Sequence, residues 1–397
     1  MALQRLIAWY KAQTTLDKNG QIAPLNGLRA VFVFSVVFFH LWQQSWLTPS
    51  VQLGSAFISF DPYLRTGYLF VDAMLLLSGF LLFLPFARAR ENKRMLPGFE
   101  GFYGKRARRI LPSYLLHLLV IFLVVALPEK RYATWWQAAR DWLAHLTFTH
   151  PWFMFSNIQT PLNGALWTLG VEVQFYLLFP LLARVFMKMP LATWSLGTGV
   201  AFLFRAYAMT KAHTPMLLNQ LPAFMDVYLN GFVLAMVFAR VEKQTRDDGL
   251  SRVLMSAILL AGVMGLAVMI RHQASMRELP LVRISQMRLR FPQSVMTGLI
   301  MLGACFGVGG IRLLLGNRVA GFLGAISYQA YLWHQMFALQ LKKWRIPPSV
   351  NENPHMVGER AWQLGYVLLT LALTLIVSAL LTYFFEQPLA RKKRLKK

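Results

Sequence analysis

Thr66-Gly67-Tyr68-Leu69-Phe70-Val71-Asp72-Ala73-Met74-Leu75-Leu76-Leu77-Ser78-Gly79-Phe80-Leu81-Leu82-Phe83-Leu84-Pro85-Phe86 carries one charged side chain, Asp72, in an otherwise apolar run. A helix needs about 20 such residues to cross the hydrocarbon core of a bilayer, so the stretch reads as a membrane span with a carboxylate inside it. The pattern repeats on both sides. Candidate spans run over 29–46, 66–86, 110–128, 166–186, 191–209, 221–239, 252–270, 294–314, 319–340 and 364–385. Only 14% of the 397 residues are charged and 56% are hydrophobic, whereas a soluble domain carries about 25% charged residues. The length alone suggests two or three soluble domains, but the runs replace that reading with an all-α membrane protein. The expected architecture is a bundle of about ten transmembrane helices and one interfacial helix. A cytoplasmic segment 1–23 precedes a membrane domain 24–388, and a basic tail 389–397 follows.

The formal net charge of +25 raises nucleic acid as a partner. The basic residues instead lie between apolar runs and in the tail, the distribution expected of loops beside anionic lipid. Membrane lipid, not nucleic acid, is the expected partner. Lysines and arginines of the connections divide 25 to 14 between the two sides, which places both termini in the cytoplasm and the chain in the inner (plasma) membrane. One connection dissents: 271–293, read as an outer loop, holds five arginines. Residues 1–28 lack the apolar core of a signal peptide, so the first span is expected to be an uncleaved anchor. The single cysteine, Cys305, excludes a disulfide framework or thiolate metal site, and no histidine spacing suggests a metal.

Within the long 129–165 connection, Trp135, Ala139, Trp142, Leu143 and Leu146 recur at helical spacing. Two readings compete. One is an amphipathic helix on the outer membrane surface; the other is an eleventh span, which Arg140, Asp141 and His145 disfavour.

Ionisable groups at membrane depth are costly and require a reason to be there. Arg29 and His40 are eleven residues apart on the first span, about three turns, so they share a face some ~16 Å apart. His40 is either a packed histidine or a general base near neutral pH. At about 1.5 Å per residue, Asp72, Glu172, Asp226 and His334 all fall near the depth of His40, on five helices in all, and Ser327 shares the face of His334. That convergence suggests one polar cavity. Before the third span, Lys105, Arg106, Arg108 and Arg109 are either positive-inside anchors or, for Arg106 and Arg109, cations for phosphate groups.

These segments resemble the acyltransferase-3 family of integral membrane O-acyltransferases. Leu25-Asn26-Gly27-Leu28-Arg29 followed by His40 is similar to the family's arginine, ten residues, histidine hallmark. Val71-Asp72 through Leu77-Ser78-Gly79-Phe80, then Arg106, Arg109, Pro112 and Tyr114, resemble its second and third spans. Leu166-Trp167-Thr168-Leu169-Gly170-Val171-Glu172-Val173-Gln174-Phe175-Tyr176 resembles its tryptophan-to-tyrosine signature. Ile326-Ser327-Tyr328, Tyr331-Leu332-Trp333-His334 and Phe385-Glu386-Gln387-Pro388 resemble its last spans. The matches keep family order over nearly the whole chain. Asn26, Val173 and Phe224 depart from the pattern, standing where an aspartate, a second glutamate and an arginine are common; the last bears on acceptor choice.

The resemblance implies transfer of an acyl group from a cytoplasmic acyl-CoA, acetyl-CoA in the simplest case, to a hydroxyl of a glycan or small-molecule acceptor. The thioester is then a donor substrate and no cofactor is bound. Arg29, Arg106, Arg109 and Tyr114 would hold the donor. His40 would take the hydroxyl proton with Glu172 or Asp72 behind it, by direct transfer or through an acyl-imidazole. His334, Ser327, Tyr328, Asp226 and Trp167 would line the acceptor side. With no further domain after residue 388, the membrane domain is expected to handle the acceptor alone. The rivals are a secondary transporter relaying protons through its intramembrane Asp, Glu and His residues, and a flippase or structural subunit. Transporters often show paired, broken spans in related halves, and no such pair is visible.

Overall fold

Without water in the bilayer core every backbone amide must be bonded internally, and a helix achieves this within one segment. The computed structural model shows that solution along the chain; it describes residues 22–211, 214–244 and 249–391. The expectations for the N-terminal segment and most of the basic tail lie outside the described residues. Twelve helices carry the architecture: α1 (Ala23–Ser45), α2 (Phe70–Glu91), α3 (Phe102–Ile121), α4 (Trp135–Leu146), α5 (Trp167–Lys188), α6 (Pro190–Met209), α7 (Met225–Gln244), α8 (Gly249–Ser275), α9 (Leu279–Phe306), α10 (Gly309–Gly316), α11 (Arg318–Lys343) and α12 (Arg360–Leu381). A small hairpin, β1 (Ser50–Leu53) paired antiparallel with β2 (Ala56–Ser59), follows α1.

Among the described residues eight helices are long and apolar enough to cross a membrane: α1, α2, α3, α5, α7, α8, α9 and α12, some with short extensions. The chain is thus an all-α, multi-pass membrane protein. The other two expected spans form as α6 and α11, of 20 and 26 residues. Their polar content sets them apart: Arg205 on α6, and Ser327, Gln329, His334, Gln335 and Gln340 on α11. Single π-helical turns extend α3 (Phe122–Ala126) and α12 (Thr382–Glu386), a local distortion that frequently marks functional positions.

One expectation needs correction, and one open choice is decided. The segment 271–293 is not a loop: α8 runs to Ser275 and α9 starts at Leu279, so only a short turn separates them. Leu279, Leu281, Ile284, Met287 and Leu289 interleave with the arginines at helical spacing, and Pro280 sits in the first turn of α9, where its missing N–H costs nothing. Arg283, Arg288 and Arg290 are therefore helical, and Arg290 is fully buried. In the 129–165 connection the structure decides against the eleventh span. At 12 residues α4 is about 18 Å long, too short for an eleventh span. Thr134 caps it by accepting from the Gln137 N–H at 3.3 Å, while the Gln137 side chain accepts from the Ala133 N–H at 3.0 Å. Its exterior is the apolar face, with Trp135 75% exposed and Leu143 62%, while Asp141 and His145 point inward and are buried. Of the three polar groups that argued against a span, Asp141 and His145 are shielded by protein, while Arg140 is exposed with its guanidinium 4.5 Å over the Phe155 ring.

The chain divides into two compact units. Of the described residues, one contains the start of α1 through Val36, Tyr68–Pro97 and those within Asp226–Ser327; the other contains Val37–Gly67, those within Gly98–Met225 and those from Tyr328 to Arg391. In the first, α2 and α7 approach backbone to backbone. A Cβ on Gly79 would meet the Tyr228 carbonyl oxygen at 2.7 Å, and one on Gly231 would meet Leu76 O and Phe80 N at 2.7 Å. Small residues permit this contact, which is how helices associate where lipid removes the hydrophobic drive. Phe83 stacks on Phe232 beside it, centroids 4.3 Å apart. Helices α8 and α9 form an antiparallel hairpin, and α8 buries only Gly262, Leu266, Ile270 and Gln273, so most of its surface is left to lipid.

In the second unit, α4 and its flanks are gathered around Asp141. Its Oδ2 accepts from Tyr132 Oη at 2.6 Å and Thr160 Oγ1 at 2.7 Å, and Oδ1 lies 3.2 Å from His145 Nδ1. His145 stacks flat on His150, centroids 4.4 Å and planes 5° apart. His150 donates from Nε2 to the Leu166 carbonyl at 2.9 Å, joining this connection to the start of α5.

Candidate active site

Helix α11 organises the second unit because nearly every turn of it bonds outward. Tyr328 donates to the Ile110 carbonyl at 3.0 Å. Gln329 donates to Ser113 Oγ at 2.6 Å and to Glu386 Oε2 at 2.8 Å, and accepts from Trp333 Nε1 at 3.3 Å. Tyr331 donates to the Ala165 carbonyl at 2.9 Å while accepting from Thr168 at 2.8 Å, and Gln335 accepts from the Ala165 N–H at 3.1 Å. These bonds fix α11 against α3, the start of α5 and the π turn of α12.

Between these anchors lies His334, fully buried. Its Nδ1 lies 3.0 Å from the Ala330 carbonyl one turn back. A carbonyl only accepts, so Nδ1 carries the proton and Nε2 holds a lone pair, for which the protein supplies no partner. Against it lies His40 of α1, ring centroids 5.1 Å apart and planes at 40°. His40 Nδ1 is 3.0 Å from Gln43 Oε1; with the proton on Nδ1, Nε2 is again the basic nitrogen. Two imidazoles therefore meet, each with Nδ1 committed, and in the neutral form Nε2 of each is able to take a proton. A backing group bonded to the far nitrogen is what fixes a general base in its working tautomer.

Glu172 accepts a short hydrogen bond from Tyr176, one turn further along α5. The Arg106 guanidinium lies 5.9 Å from the Tyr176 ring and 5.8 Å from Phe102, and the Arg109 charge reaches Tyr176, Tyr328 and Glu386. Trp167 stacks on Phe224, centroids 5.8 Å apart. Tyr114 is fully buried, donates to the His145 carbonyl at 3.1 Å and stacks on Phe148, which ties α3 to the 129–165 connection.

Four other residues singled out in the sequence lie in the first unit. Arg29 is half-buried on α1. Asp72 is buried with its Oδ2 3.6 Å from Arg290 Nε. Asp226 is fully buried and accepts from the Val227 N–H at 2.9 Å at the start of α7. Ser327 is buried and donates to the Gly324 carbonyl at 2.9 Å. His40, Glu172, His334, Tyr328, Trp167, Arg106, Arg109 and Tyr114 thus share one unit, and Arg29, Asp72, Asp226 and Ser327 the other.

Sequence reasoning missed Gln43, Gln329, Glu386 and Arg290. Gln43 lies one helical turn past His40, a spacing that could have found it. Gln329 and Glu386 sit inside or beside the family motifs without a charge pattern to assign them a role. Arg290 was hidden by the loop reading of 271–293. Among the described residues no group of three His, Cys, Asp or Glu is placed to hold a metal ion.

The fold is a helical membrane domain in which the His40 and His334 imidazoles meet, and the sequence gives its family. The chain belongs to the acyltransferase-3 family, whose acyltransferase domain it matches over residues 22–382. It is 27% identical to the acyltransferase MdmB of Streptomyces mycarofaciens over 80% of this chain and 79% of that one. It is likewise 27% identical to a putative acetyltransferase of Acidianus two-tailed virus over 81% and 84%. The peptidoglycan O-acetyltransferase OatA of Listeria monocytogenes matches at 27% over 44% of this chain, which spans 26% of that protein's length. No solved structure matches the chain.

Proposed function

We propose that the protein transfers an acyl group, acetyl in the simplest case, from acyl-CoA to a hydroxyl of a glycan or small exported acceptor. The observation that carries this reading is the His40–His334 pair, with Nδ1 of each imidazole engaged and Nε2 left basic. In the reaction the acceptor oxygen attacks the thioester carbonyl as Nε2 of His40 takes its proton. The C–S bond breaks, and the departing thiolate receives the proton from the imidazolium. Proton balance is closed within the site. His334 stands beside His40 as a second acceptor for the hydroxyl or the transferred proton. Arg106 and Arg109 supply the positive charge for the anionic donor, and Glu172 with Tyr176 orders that end.

The acceptor class follows by analogy from relatives such as the peptidoglycan O-acetyltransferase OatA, so an envelope glycan is the first to test. Placement in the inner membrane with cytoplasmic termini, suggested by the bias of basic residues, puts the donor arginines on the side where acyl-CoA is made.

Membranes containing the protein, incubated with radiolabelled acetyl-CoA and isolated envelope glycan, should acquire base-labile ester label. Membranes containing His40→Ala at equal abundance should acquire none. Full labelling by that variant would end the proposal, and label recovered only as unesterified acetate would favour a carrier.

A further inference from the structure

The start of α3 places charge where helix electrostatics oppose it. Lys105, Arg106, Arg108 and Arg109 lie in its first two turns, with no acidic residue in the first turn to offset them. A helix N-terminus is the positive end of the macrodipole, so these cations are disfavoured there unless an anion is present. Arg184, near the end of α5, adds a fifth; its guanidinium sits 4.9 Å over the Phe99 ring. Among the described residues none of the five takes part in an ion pair.

Aromatic rings are interleaved with the charges. Phe102 stacks on the buried Phe179, centroids 5.1 Å apart and planes at 21°, and Phe99 meets Phe179 edge-on at 6.1 Å. Tyr103 donates to the Leu177 carbonyl at 3.0 Å and pins α3 to α5. Phe99 is half-buried and Arg184 is exposed, so two planar groups in contact reach solvent beside four further cations. Simple positive-inside anchoring needs the charges but not the rings. An anionic lipid headgroup likewise offers a phosphate and nothing that stacks. A purine nucleotide offers both a flat π-system and clustered phosphates, and aromatic–arginine platforms bind bases by stacking.

We propose that Phe99, Phe102 and Arg184 form a subsite for the nucleotide end of the donor, the base stacking on Phe99 and Arg184 and the phosphates lying among Arg106, Arg108 and Arg109. This rests on the reading of Arg106 and Arg109 as donor-binding and adds residues that no motif marked. The subsite touches no part of the thioester, so it governs donor affinity and not the chemical step.

The test compares acetyl-CoA with acetyl-pantetheine, which lacks the nucleotide, on the full-length protein in phosphatidylcholine nanodiscs. Arg184→Ala and Phe99→Ala should each raise KM for acetyl-CoA about tenfold at unchanged kcat, and leave KM for acetyl-pantetheine as in the parent. Phe99→Trp should restore the parent KM, and Arg184→Lys, which keeps charge without the planar fork, should fall between. Equal effects on the two donors, or no effect on either, would overturn the subsite. Binding of adenosine 3′,5′-bisphosphate is measured in the same discs and should weaken in both alanine variants. Should the parent turn over neither donor yet bind this fragment through Phe99 and Arg184, the acyl-CoA reaction fails while the nucleotide subsite stands. Unchanged fragment binding with reduced uptake of phosphatidylglycerol into the discs would assign the cluster to lipid and overturn the proposal.

Discussion

His40 and His334, from α1 and α11, meet with ring centroids 5.1 Å apart, each with Nδ1 engaged by a neighbour about one turn away on its own helix. Removing either should expose how the work divides between them. His40→Ala is expected to abolish acyl transfer, a loss of at least ~10²-fold, the lower bound for a general base. His334→Gln should lower kcat less and leave donor KM unchanged. Steady-state assays on equal amounts of detergent-extracted protein check both. Gln43→Leu, which leaves the His40 tautomer unfixed, should lie between the two.

Asp72 and Arg290 form a buried pair, 3.6 Å apart with neither side chain more than 2% exposed. Removing one partner strands the other's charge, at a cost of about 3–5 kcal/mol, whereas removing both is often tolerated. Asp72→Leu and Arg290→Met should each depress the melting temperature strongly, and the double variant should recover a large part of the loss. Scanning fluorimetry of the purified proteins reads this directly; additive losses would show that the two groups are not coupled.

Gly79 and Gly231 hold α2 and α7 at backbone contact. Gly79→Val forces its Cβ against the Tyr228 carbonyl, where the obstacle is main chain and cannot swing aside. The protein should fail to accumulate in membranes or should melt well below the parent. Gly199→Ala, on α6 with open space around its Cβ position, is the control and should behave as the parent.

His150 lies outside the membrane-spanning helices, and burial, with the adjacent His145, pushes its imidazole down to about 3 from the usual 6.5. The neutral form is thus built into the fold, and below pH 6.5 the unfolded chain binds a proton that the folded chain refuses. Stability of the 127–163 connection should be fully present above about pH 6.5 and fall progressively as the pH drops toward 3. Limited proteolysis at about pH 7.5 and about pH 5 should show faster nicking of this segment at the lower value. His150→Gln should flatten the difference.

Much of this was legible in the sequence, for identifiable reasons. Apolar runs of span length found the ten long helices in outline, because lipid leaves a chain little alternative to the helix. The Arg29…His40 spacing and the ionisable residues at membrane depth marked candidate positions, since charge there demands explanation. What failed did so where a residue type has two fates. Five arginines between 271 and 293 resemble a solvated loop, yet a helix can carry arginines outward and fold one of them, Arg290, onto a carboxylate. Asp141 and His145 argued rightly against an eleventh span, but nothing in the sequence showed that protein would bury them. Tertiary partners such as Gln43 for His40, or Gln329 for Glu386, are uncharged or distant and leave no periodic trace.

The unbroken course of α8 and α9 also sets how far they reach. At 27 and 28 residues they are about 40 Å long, against a hydrocarbon thickness of roughly 30 Å. Unless tilted steeply, the paired helices extend past the hydrocarbon by about 10 Å, roughly two turns, a stiff two-stranded mast tipped by the turn at 276–278. Such a post is the natural place to splice in an epitope or fluorophore without disturbing the spans below, and whichever face of the cell exposes that label fixes the orientation of the whole chain.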